Sequence, residues 1–195
     1  DVGKEGFGPS AAQGAICAAL VAHAMTGARV VRLKGGDCGI FGRLDEEIEA
    51  LEAAALPFRI LPGLTSATVA AARIGQSLTR RGRNAALRIV TGHDMAGFAE
   101  QDWRGMARAG EVAAIYMGRK SARFIQGRLM MHGADPATPV TVVANVSRAD
   151  ETVTGATLSR LPEAVAAADG PAVILFGLAP RDAQAALADV QEARA

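Results

Sequence analysis

The sequence predicts an α/β protein of two domains, and three observations support this. Short apolar runs of strand length alternate with stretches of helical periodicity along the chain of 195 residues. The order strand, helix, strand favours a parallel sheet whose strands are joined by crossover helices. Pro62-Gly63 interrupts the pattern and marks the boundary between a first domain, residues 1–62, and a second domain, residues 63–195. We expect each domain to contain a sheet flanked by helices.

The first domain is predicted to contain two helices and two strands. Ser10 and Gln13 have the spacing of a capping box, which predicts a helix that starts there and ends at Gly27. The β-branched run at residues 28–34 predicts a buried strand, and Ile48 and Leu51 lie on one face of a helix predicted at residues 44–55. The second strand is predicted at residues 57–61.

The second domain is predicted to begin with a helix of small residues at 65–74, with Thr65 as its N-cap. Four strands follow, at residues 87–91, 112–117, 140–145 and 172–176, and helices near 98–108, 120–132 and 158–168 alternate with them. Residues 151–155 have the pattern of a hairpin arm, so this sheet is predicted to be mixed. Residues 180–195 are predicted to be a final surface helix or a frayed end.

Composition excludes several classes of function. The net charge is +1 and 21% of the residues are charged, which argues against a nucleic-acid-binding protein. Cys17 and Cys38 fit neither a metal site nor a disulfide framework, so a reducing cytoplasm is the natural location and no metal is expected. No apolar run is long enough to span a membrane, and no leader sequence is visible. The basic residues are almost all arginines, because Lys4, Lys34 and Lys120 are the only lysines.

The first candidate site is a glycine loop, residues 35–43, between the predicted strand and helix of the first domain. Its glycines allow a ligand to approach the backbone, and Asp37 is able to accept hydrogen bonds from a hydroxyl or ammonium group. Arg43 and Glu46 follow. A tight turn with a capping aspartate explains the pattern equally well, and Glu46 and Glu47 fit a role that merely complements the helix dipole.

Three further clusters follow predicted strand ends. Gly63-Leu64-Thr65-Ser66 begins a helix, and ordinary N-capping explains it best. Arg80, Arg81 and Arg83 form a local surface for carboxylates or phosphates, although a solvated basic loop is the simpler interpretation, and Thr91-Gly92-His93 follows after a strand. The fourth cluster combines Tyr116-Met117-Gly118 with residues 143–146. No catalytic triad or zinc site is visible, and the glycine loop matches neither phosphate-binding nor dinucleotide fingerprints.

Together these clusters resemble the tetrapyrrole methylase family, and within it the uroporphyrinogen-III C-methyltransferases, including those that form the C-terminal part of sirohaem synthases. The motifs occur in the family's order: Val2-Gly3-Lys4, the helix with Gln13, residues 30–43 with Glu46-Glu47, Leu61-Pro62-Gly63-Leu64-Thr65-Ser66-Ala67, Leu78-Thr79-Arg80-Arg81-Gly82, Thr91-Gly92-His93, Tyr116-Met117-Gly118 and residues 142–145. The resemblance implies a two-domain α/β fold that holds S-adenosylmethionine in the cleft between the domains.

The resemblance also implies a reaction and a set of site residues. The reaction is the transfer of two methyl groups to ring carbons of uroporphyrinogen III, which gives precorrin-2 for sirohaem or cobalamin biosynthesis. The implied partner is a second copy of the chain in a homodimer. Lys4 matches the family's proposed proton donor. The implied cofactor-binding residues are Gly35, Gly36, Asp37, Ile40, Thr65, Ser66, Met117 and Val146, and the implied substrate-binding residues are Arg43, Glu46, Arg81, His93 and Met117.

The chain departs from the family pattern at several positions. Cys38 and Gly39 replace a proline and an aromatic residue, Arg80 replaces a common histidine, and Val146 replaces a glycine. We also expect the family's first strand and its proposed catalytic aspartate to precede Asp1 in a longer protein. Two alternatives therefore stay open: methylation of a later precorrin, and a non-catalytic remnant that binds tetrapyrrole or cofactor.

Overall fold

The computed structural model describes residues 11–94 and 97–182, and the chain divides into two compact units, Asp1–Thr65 and Ser66–Ala195. In the first unit, helix α1 (Gln13–Met25) packs against helix α2 (Leu44–Ala53). The predicted capping box is wrong. The N-cap of α1 is Ala12, which makes no side-chain capping bond, and the Gln13 side chain is buried.

The two strands predicted in the first unit are also wrong. Residues 28–34 and 57–61 form no regular secondary structure, and neither segment belongs to a ladder within the described residues. Their apolar side chains are consequently exposed, with Leu33 80% and Leu61 67% accessible. An apolar run forms a strand only when a neighbouring strand pairs with its backbone, and the described part of this unit offers none. The sheet expected in the first domain is therefore absent from residues 11–65.

The second unit is built on a sheet of five strands in the order β1-β4-β7-β5-β6. Strand β1 pairs with β4 in parallel, whereas β4, β7, β5 and β6 pair with one another antiparallel, so the prediction of a mixed sheet is confirmed. The strands of this sheet are β1 (Arg88–Thr91), β4 (Ala113–Tyr116), β5 (Pro139–Ala144), β6 (Thr152–Thr157) and β7 (Ala172–Phe176), while β2 (His93–Asp94) and β3 (Gly97–Phe98) form a separate hairpin.

Helices cover both faces of this sheet. Helix α3 (Ser66–Arg73) places its buried alanines against one face, where Val143 and Leu175 point. The other face, with Ile115 and Val142, is covered by three helices that together bury a larger core: α4 (Trp103–Met106), α5 (Ala122–Met131) and α6 (Leu161–Ala166). The prediction of a sheet flanked by helices is thus confirmed for the second unit. Helices packed on both faces hold the sheet in place, and with it the positions at which its strands end.

Two predicted helices are shorter than expected. In place of a helix at 98–108, the chain forms the β2–β3 hairpin and the single turn α4, because Asp102 caps that turn by accepting a hydrogen bond from Gly105 N–H at 2.9 Å. Residues 158–168 divide into a 3₁₀ turn, Leu158–Arg160, and α6, whose first turn contains Pro162. The predicted tail at 180–195 lies outside the described residues beyond Asp182. No helix in the described part of the chain could cross a membrane.

Candidate functional site

Asp37 is the organising side chain of the glycine loop. One carboxylate oxygen accepts a hydrogen bond from the backbone N–H of Gly39 at 2.8 Å, and the other accepts one from Gly63 N–H at 3.0 Å. The carboxylate therefore connects the glycine loop to Gly63, which follows the second predicted strand of the first unit. The turn-forming role that the sequence offered as an alternative is real, and it fixes where the loop backbone lies.

Gly63, which contacts the glycine loop, and Gly35, which belongs to it, differ in what surrounds their α-carbons. At Gly63 a Cβ atom would lie 2.3 Å from the carbonyl oxygen of Gly36, so only glycine permits this close approach of two backbones. At Gly35 a Cβ atom would meet nothing within 4 Å, so its α-carbon faces open space. Gly35 is exposed and Ile40 is half-buried. The loop thus presents an open backbone face at Gly35, which a ligand is able to approach.

Glu47 anchors the loop to helix α2. Its side chain is buried and accepts hydrogen bonds from Gln13 Nε2 at 3.1 Å, Lys34 Nζ at 2.9 Å and Arg32 Nε at 3.3 Å. Lys34 Nζ also donates to the carbonyl oxygen of Gly42 at 2.6 Å. Burial raises the pKa of Glu47, but the bonds from Lys34 and Gln13 and the charges of Lys34 and Arg32 outweigh it, so the pKa lies below its ordinary value.

Arg43 and Glu46, both implied to bind substrate, form an ion pair with each other. Arg43 Nε and Nη2 donate to the two carboxylate oxygens of Glu46 at 2.6 and 2.7 Å, and both side chains are about half exposed, at 47% each. The hydrogen bond to Glu46 raises the pKa of Arg43. Arg43 has a left-handed backbone, φ 54°, which directs the chain into α2. The planar fork of the guanidinium is thereby held at the surface of the loop.

In the second unit, one edge of the sheet gathers three of the implied site residues. Strands β4 and β5 are both antiparallel to β7, and β1 is parallel to β4, so β1, β4 and β5 all end at the same edge. Met117 follows the end of β4 directly, and His93 and Val146 follow the ends of β1 and β5, respectively, by two residues. We call this the carboxyl edge. The turns after β1 and β4 are in contact, because a Cβ atom on Gly92 would lie 2.8 Å from the α-carbon of Gly118.

The backbone at the carboxyl edge adopts unusual conformations. Met117 and Asn145 have left-handed backbones, φ 52° and 51°, which are uncommon for residues other than glycine and cluster at functional sites. The Asn145 side chain is buried and donates to Asp150 Oδ2 at 2.7 Å and to the carbonyl oxygen of Asp169 at 3.1 Å. Val146 is half-buried beside it, whereas the apolar side chain of Met117 is 51% exposed.

Helix α3 also begins at the carboxyl edge. The Tyr116 hydroxyl, at the end of β4, accepts a hydrogen bond from the backbone N–H of Ala67 at 2.9 Å, which places Ser66 beside the edge. Thr65, the adjacent residue, closes the first unit and is half-buried. No pattern in the sequence indicated the roles of Tyr116 and Asn145, although both belong to the fourth cluster of candidate residues.

Arg81 lies away from the carboxyl edge. It belongs to a tight loop, residues 79–85, closed by the bridge between Arg80 and Asn84 and located before β1. A Cβ atom on Gly110, just before β4, would lie 2.7 Å from the carbonyl oxygen of Arg83. The loop therefore lies at the amino ends of β1 and β4, whereas His93 follows the carboxyl end of β1. The structure does not bring Arg81 together with His93.

Two further predictions concern Lys4 and metal binding. Lys4, the implied proton donor, lies outside the described residues. Within residues 11–94 and 97–182 there is no group of three or more His, Cys, Asp or Glu side chains that could hold a metal ion. Cys17 and Cys38 are free thiols.

Comparison with known proteins gives consistent matches. The profile of the Tetrapyrrole (Corrin/Porphyrin) Methylases matches residues 3–162. The chain is 41% identical over 176 residues to siroheme synthase 1 of Yersinia enterocolitica, covering 90% of this chain, and 40% identical over 176 residues to siroheme synthase of Edwardsiella ictaluri, again covering 90%. It spans only 37% and 38% of the length of these two relatives.

Solved structures give the same fold. Uroporphyrin-III C-methyl transferase from Thermus thermophilus, complexed with S-adenyl homocysteine, superposes with a TM-score of 0.73 at 32% identity, covering 85% of this chain and 73% of that one. The native form of that protein gives a TM-score of 0.75 at 31% identity, covering 88% and 77%. A cobalt precorrin-4 methyltransferase, at 22% identity and a TM-score of 0.75 over 83% of this chain and 69% of that one, shares the fold.

Proposed function

Because the chain belongs to the tetrapyrrole (corrin/porphyrin) methylase family, we propose that it takes part in the transfer of methyl groups from S-adenosylmethionine to ring carbons of uroporphyrinogen III. The product would be precorrin-2, the precursor of sirohaem and cobalamin. The similarity to siroheme synthases and to a uroporphyrin-III C-methyl transferase supports this substrate.

The observation that carries the proposal is the carboxyl edge of the sheet. Here β4 and β5 end in left-handed turns beside the start of helix α3, so that the edge presents the apolar side chains of Met117 and Val146. An exposed methionine on a left-handed backbone has no folding advantage, because it is neither buried nor in a favoured conformation. A cofactor with an adenosine group and a methionine chain suits such a surface, since it offers apolar faces to cover the side chain.

The residues present fit this cofactor in both units. In the first unit, the open backbone face at Gly35 and the adjacent Gly36, Asp37 and Ile40 are the proposed contacts, together with Thr65. In the second unit they are Ser66, Met117 and Val146. When bound, the cofactor supplies an activated methyl group on a sulfonium centre. That the domains meet at Pro62-Gly63 and hold the cofactor in a cleft between them is part of the proposal.

The protein's own contribution is positioning and charge. Uroporphyrinogen carries a ring of carboxylates, and the guanidinium fork of Arg43 is suited to bind one of them bidentately. Glu46 occupies that fork now, so a substrate carboxylate would displace it or share it. His93 and Met117, at the carboxyl edge, are further proposed substrate contacts, and Arg81, in the loop at the amino ends of β1 and β4, is a proposed contact away from that edge. Alignment of the methyl group with a pyrrole carbon and exclusion of water supply most of the catalysis. The proton that the macrocycle then releases passes to a base, directly or through water, and Lys4 is the proposed proton donor.

Two other functions remain as alternatives. Methylation of a later precorrin is chemically similar and would use the same edge. A non-catalytic remnant that binds tetrapyrrole or cofactor is the second alternative, and the departures from the family pattern at Cys38, Gly39 and Val146 favour it. A homodimer and a cytoplasmic location complete the proposal.

A methyl-transfer assay separates these functions. The longest polypeptide that the gene encodes around this chain is incubated with radiolabelled S-adenosylmethionine and, in parallel, with uroporphyrinogen III, precorrin-2 or precorrin-4. We expect label in the product from uroporphyrinogen III. Label from precorrin-2 or precorrin-4 alone would reassign the substrate. Saturable binding without transfer to any of the three would support the non-catalytic alternative.

A further inference from the structure

A second group of cationic side chains lies away from the carboxyl edge. Three arginines line one cavity of about 500 Å³ in the second unit, together with two small polar residues. We call it the arginine cavity, and its lining residues are Gln76, Ser77, Arg80, Arg83 and Arg181. No acidic side chain contributes to the lining. The cavity is therefore positively charged and large enough for a compact ligand.

Arg83 is built into this cavity. Its Nη2 donates to the carbonyl oxygen of Ser77 at 2.7 Å, and its Nε donates to Asn84 Oδ1 at 2.9 Å. Asn84 in turn donates to the carbonyl oxygens of Leu78 and Ala86, at 3.0 and 2.7 Å. The guanidinium is thus oriented by backbone groups and a single amide. Such preorganisation reduces the entropy that is lost when the guanidinium binds a ligand.

Arg181 reaches the cavity from the other side. Its backbone N–H donates to the carbonyl oxygen of Ile74 at 3.1 Å, at the end of helix α3. Gln76 Nε2 donates to the carbonyl oxygen of Ala179 at 3.0 Å, which holds the segment after β7 against the same helix end. The cavity therefore has two walls that are joined by hydrogen bonds.

The charges of the cavity are not neutralised within the described residues. The ion pairs of residues 11–94 and 97–182 involve Arg32, Lys34, Arg43, Arg73, Arg88 and Arg128, and none involves Arg80, Arg83 or Arg181. The closest acidic residue in sequence is the exposed Asp182, which does not line the cavity. Partial burial and the neighbouring charge of Arg80 lower the pKa of Arg83. Like charges held this close are unfavourable, and a bound anion would relieve their repulsion.

The cavity lies away from the carboxyl edge, although the loop that supplies Arg80 and Arg83 also carries Arg81, a proposed substrate contact. The segment 177–181 follows the carboxyl end of β7, which is antiparallel to β4, so it lies at the amino ends of β4 and β5. Gly177 N–H accordingly donates to the carbonyl oxygen of Pro139 at 2.8 Å. The length of β4 separates this region from Met117, and four residues of strand span roughly 13 Å.

We propose that the arginine cavity is a binding site for a compact oxyanion, a carboxylate or phosphate group held by Arg80, Arg83 and Arg181. Two sources of this group are chemically equivalent: a side arm of a polycarboxylate tetrapyrrole, and a small free anion. The free-anion source does not depend on the proposed methyl transfer, because the site uses neither the carboxyl edge nor the glycine loop. The tetrapyrrole source rests on the proposed function, since Arg81 of the same loop is a proposed substrate contact.

Isothermal titration at low ionic strength tests this site, with inorganic phosphate, citrate and uroporphyrin I as separate probes. We expect at least one probe to bind, with a dissociation constant on the order of millimolar or below, and binding to weaken about tenfold in Arg83→Gln and in Arg181→Gln. Arg123→Gln is the matched control, since Arg123 is an exposed arginine outside the cavity. It should leave the affinity unchanged.

Each outcome decides the proposal. Weakened binding of uroporphyrin I in the cavity variants identifies the tetrapyrrole arm as the source, and an effect confined to phosphate or citrate identifies a free anion. Absence of binding by all three probes, or equal binding by the cavity variants and Arg123→Gln, overturns the site. If Arg83→Gln fails to fold, as judged by circular dichroism, Arg181→Gln decides alone. S-adenosylmethionine affinity, measured in the same proteins, reports separately on the methyl-transfer proposal and should not change.

Discussion

At the scale of single residues, the role of Glu47 could not be predicted from the sequence. Its position in the first turn of α2 fits a role that merely complements the helix dipole, and nothing local distinguishes it from Glu46. The structure buries Glu47, leaving it 3% exposed, and surrounds it with Gln13, Arg32 and Lys34. These partners come from separate segments of the chain, so only the fold brings them together. The sequence contains one hint of this role: lysine is scarce, and Lys34, a partner of Glu47, is one of three lysines.

Replacing Glu47 by glutamine should destabilise the first unit at neutral pH. The substitution leaves the partly buried charges of Lys34 and Arg32 without a counter-ion, and we expect a loss of about 1–3 kcal/mol in the free energy of unfolding. Because the folded pKa of Glu47 is lowered, its contribution is present above the unfolded pKa and is lost as the pH falls through the folded one. Urea unfolding measures this.

The difference between the wild type and Glu47→Gln should therefore be largest near pH 7 and should shrink as the pH falls below about 4.5, the region where unperturbed glutamates titrate. Glu49→Gln is the matched control on the same helix, since Glu49 is exposed and should show little effect. A difference that stays constant from pH 7 to acid would mean that the carboxylate charge of Glu47 does not stabilise the fold.

Gly35 in the glycine loop and Gly63, which packs against that loop, allow ligand binding to be tested separately from folding. Gly63→Ala should cost about 1–3 kcal/mol, because the new methyl group would lie 2.3 Å from the Gly36 carbonyl oxygen. Gly35→Ala meets no atom within 4 Å and should leave thermal stability nearly unchanged while weakening S-adenosylmethionine binding. Thermal unfolding and titration with the cofactor separate the two effects. Unchanged cofactor affinity in Gly35→Ala would remove Gly35 from the proposed site.

At the scale of secondary-structure elements, the strands of the second unit agree with the prediction from the sequence, whereas those predicted in the first unit do not form. Apolar runs such as β4 and β7 lie next to each other and pair, so their hydrophobicity predicts a strand correctly. The run at residues 28–34 has the same character, but strand formation depends on a neighbour that a local pattern does not reveal. The helix predicted at 98–108 failed for a local reason, the cap that Asp102 forms with Gly105.

Hydrogen exchange should reproduce this contrast between elements. Backbone amides of residues 30–33 and 58–61 have no ladder partners within the described residues and should exchange quickly, whereas those of β5 and β7, paired on both sides, should be the slowest. Mass spectrometry of peptides from these segments provides the rates. Slow exchange at residues 30–33, comparable to that of β7, would show that this segment is paired in solution.

At the scale of the whole molecule, the order of motifs was more informative than any one of them. Gly35-Gly36-Asp37, the start of α3, His93 and Met117 are each explained by ordinary folding roles, but their succession predicted a family, and the family match over residues 3–162 confirms it. The sequence did not predict which residues would be gathered. His93, Met117 and Val146 lie along the same carboxyl edge because β1, β4 and β5 run in the same direction, whereas Arg81 precedes β1.

The central claim is that the carboxyl edge binds the methyl donor, and titration with S-adenosylmethionine tests it most directly. In the longest polypeptide encoded around this chain, Met117→Ala should weaken binding about tenfold, because Met117 is the exposed apolar side chain at that edge. Met131→Ala removes another exposed methionine, at the end of α5, and should leave the affinity unchanged. Equal affinities for Met117→Ala, Met131→Ala and the wild type, or no binding in any of them, would contradict the assignment.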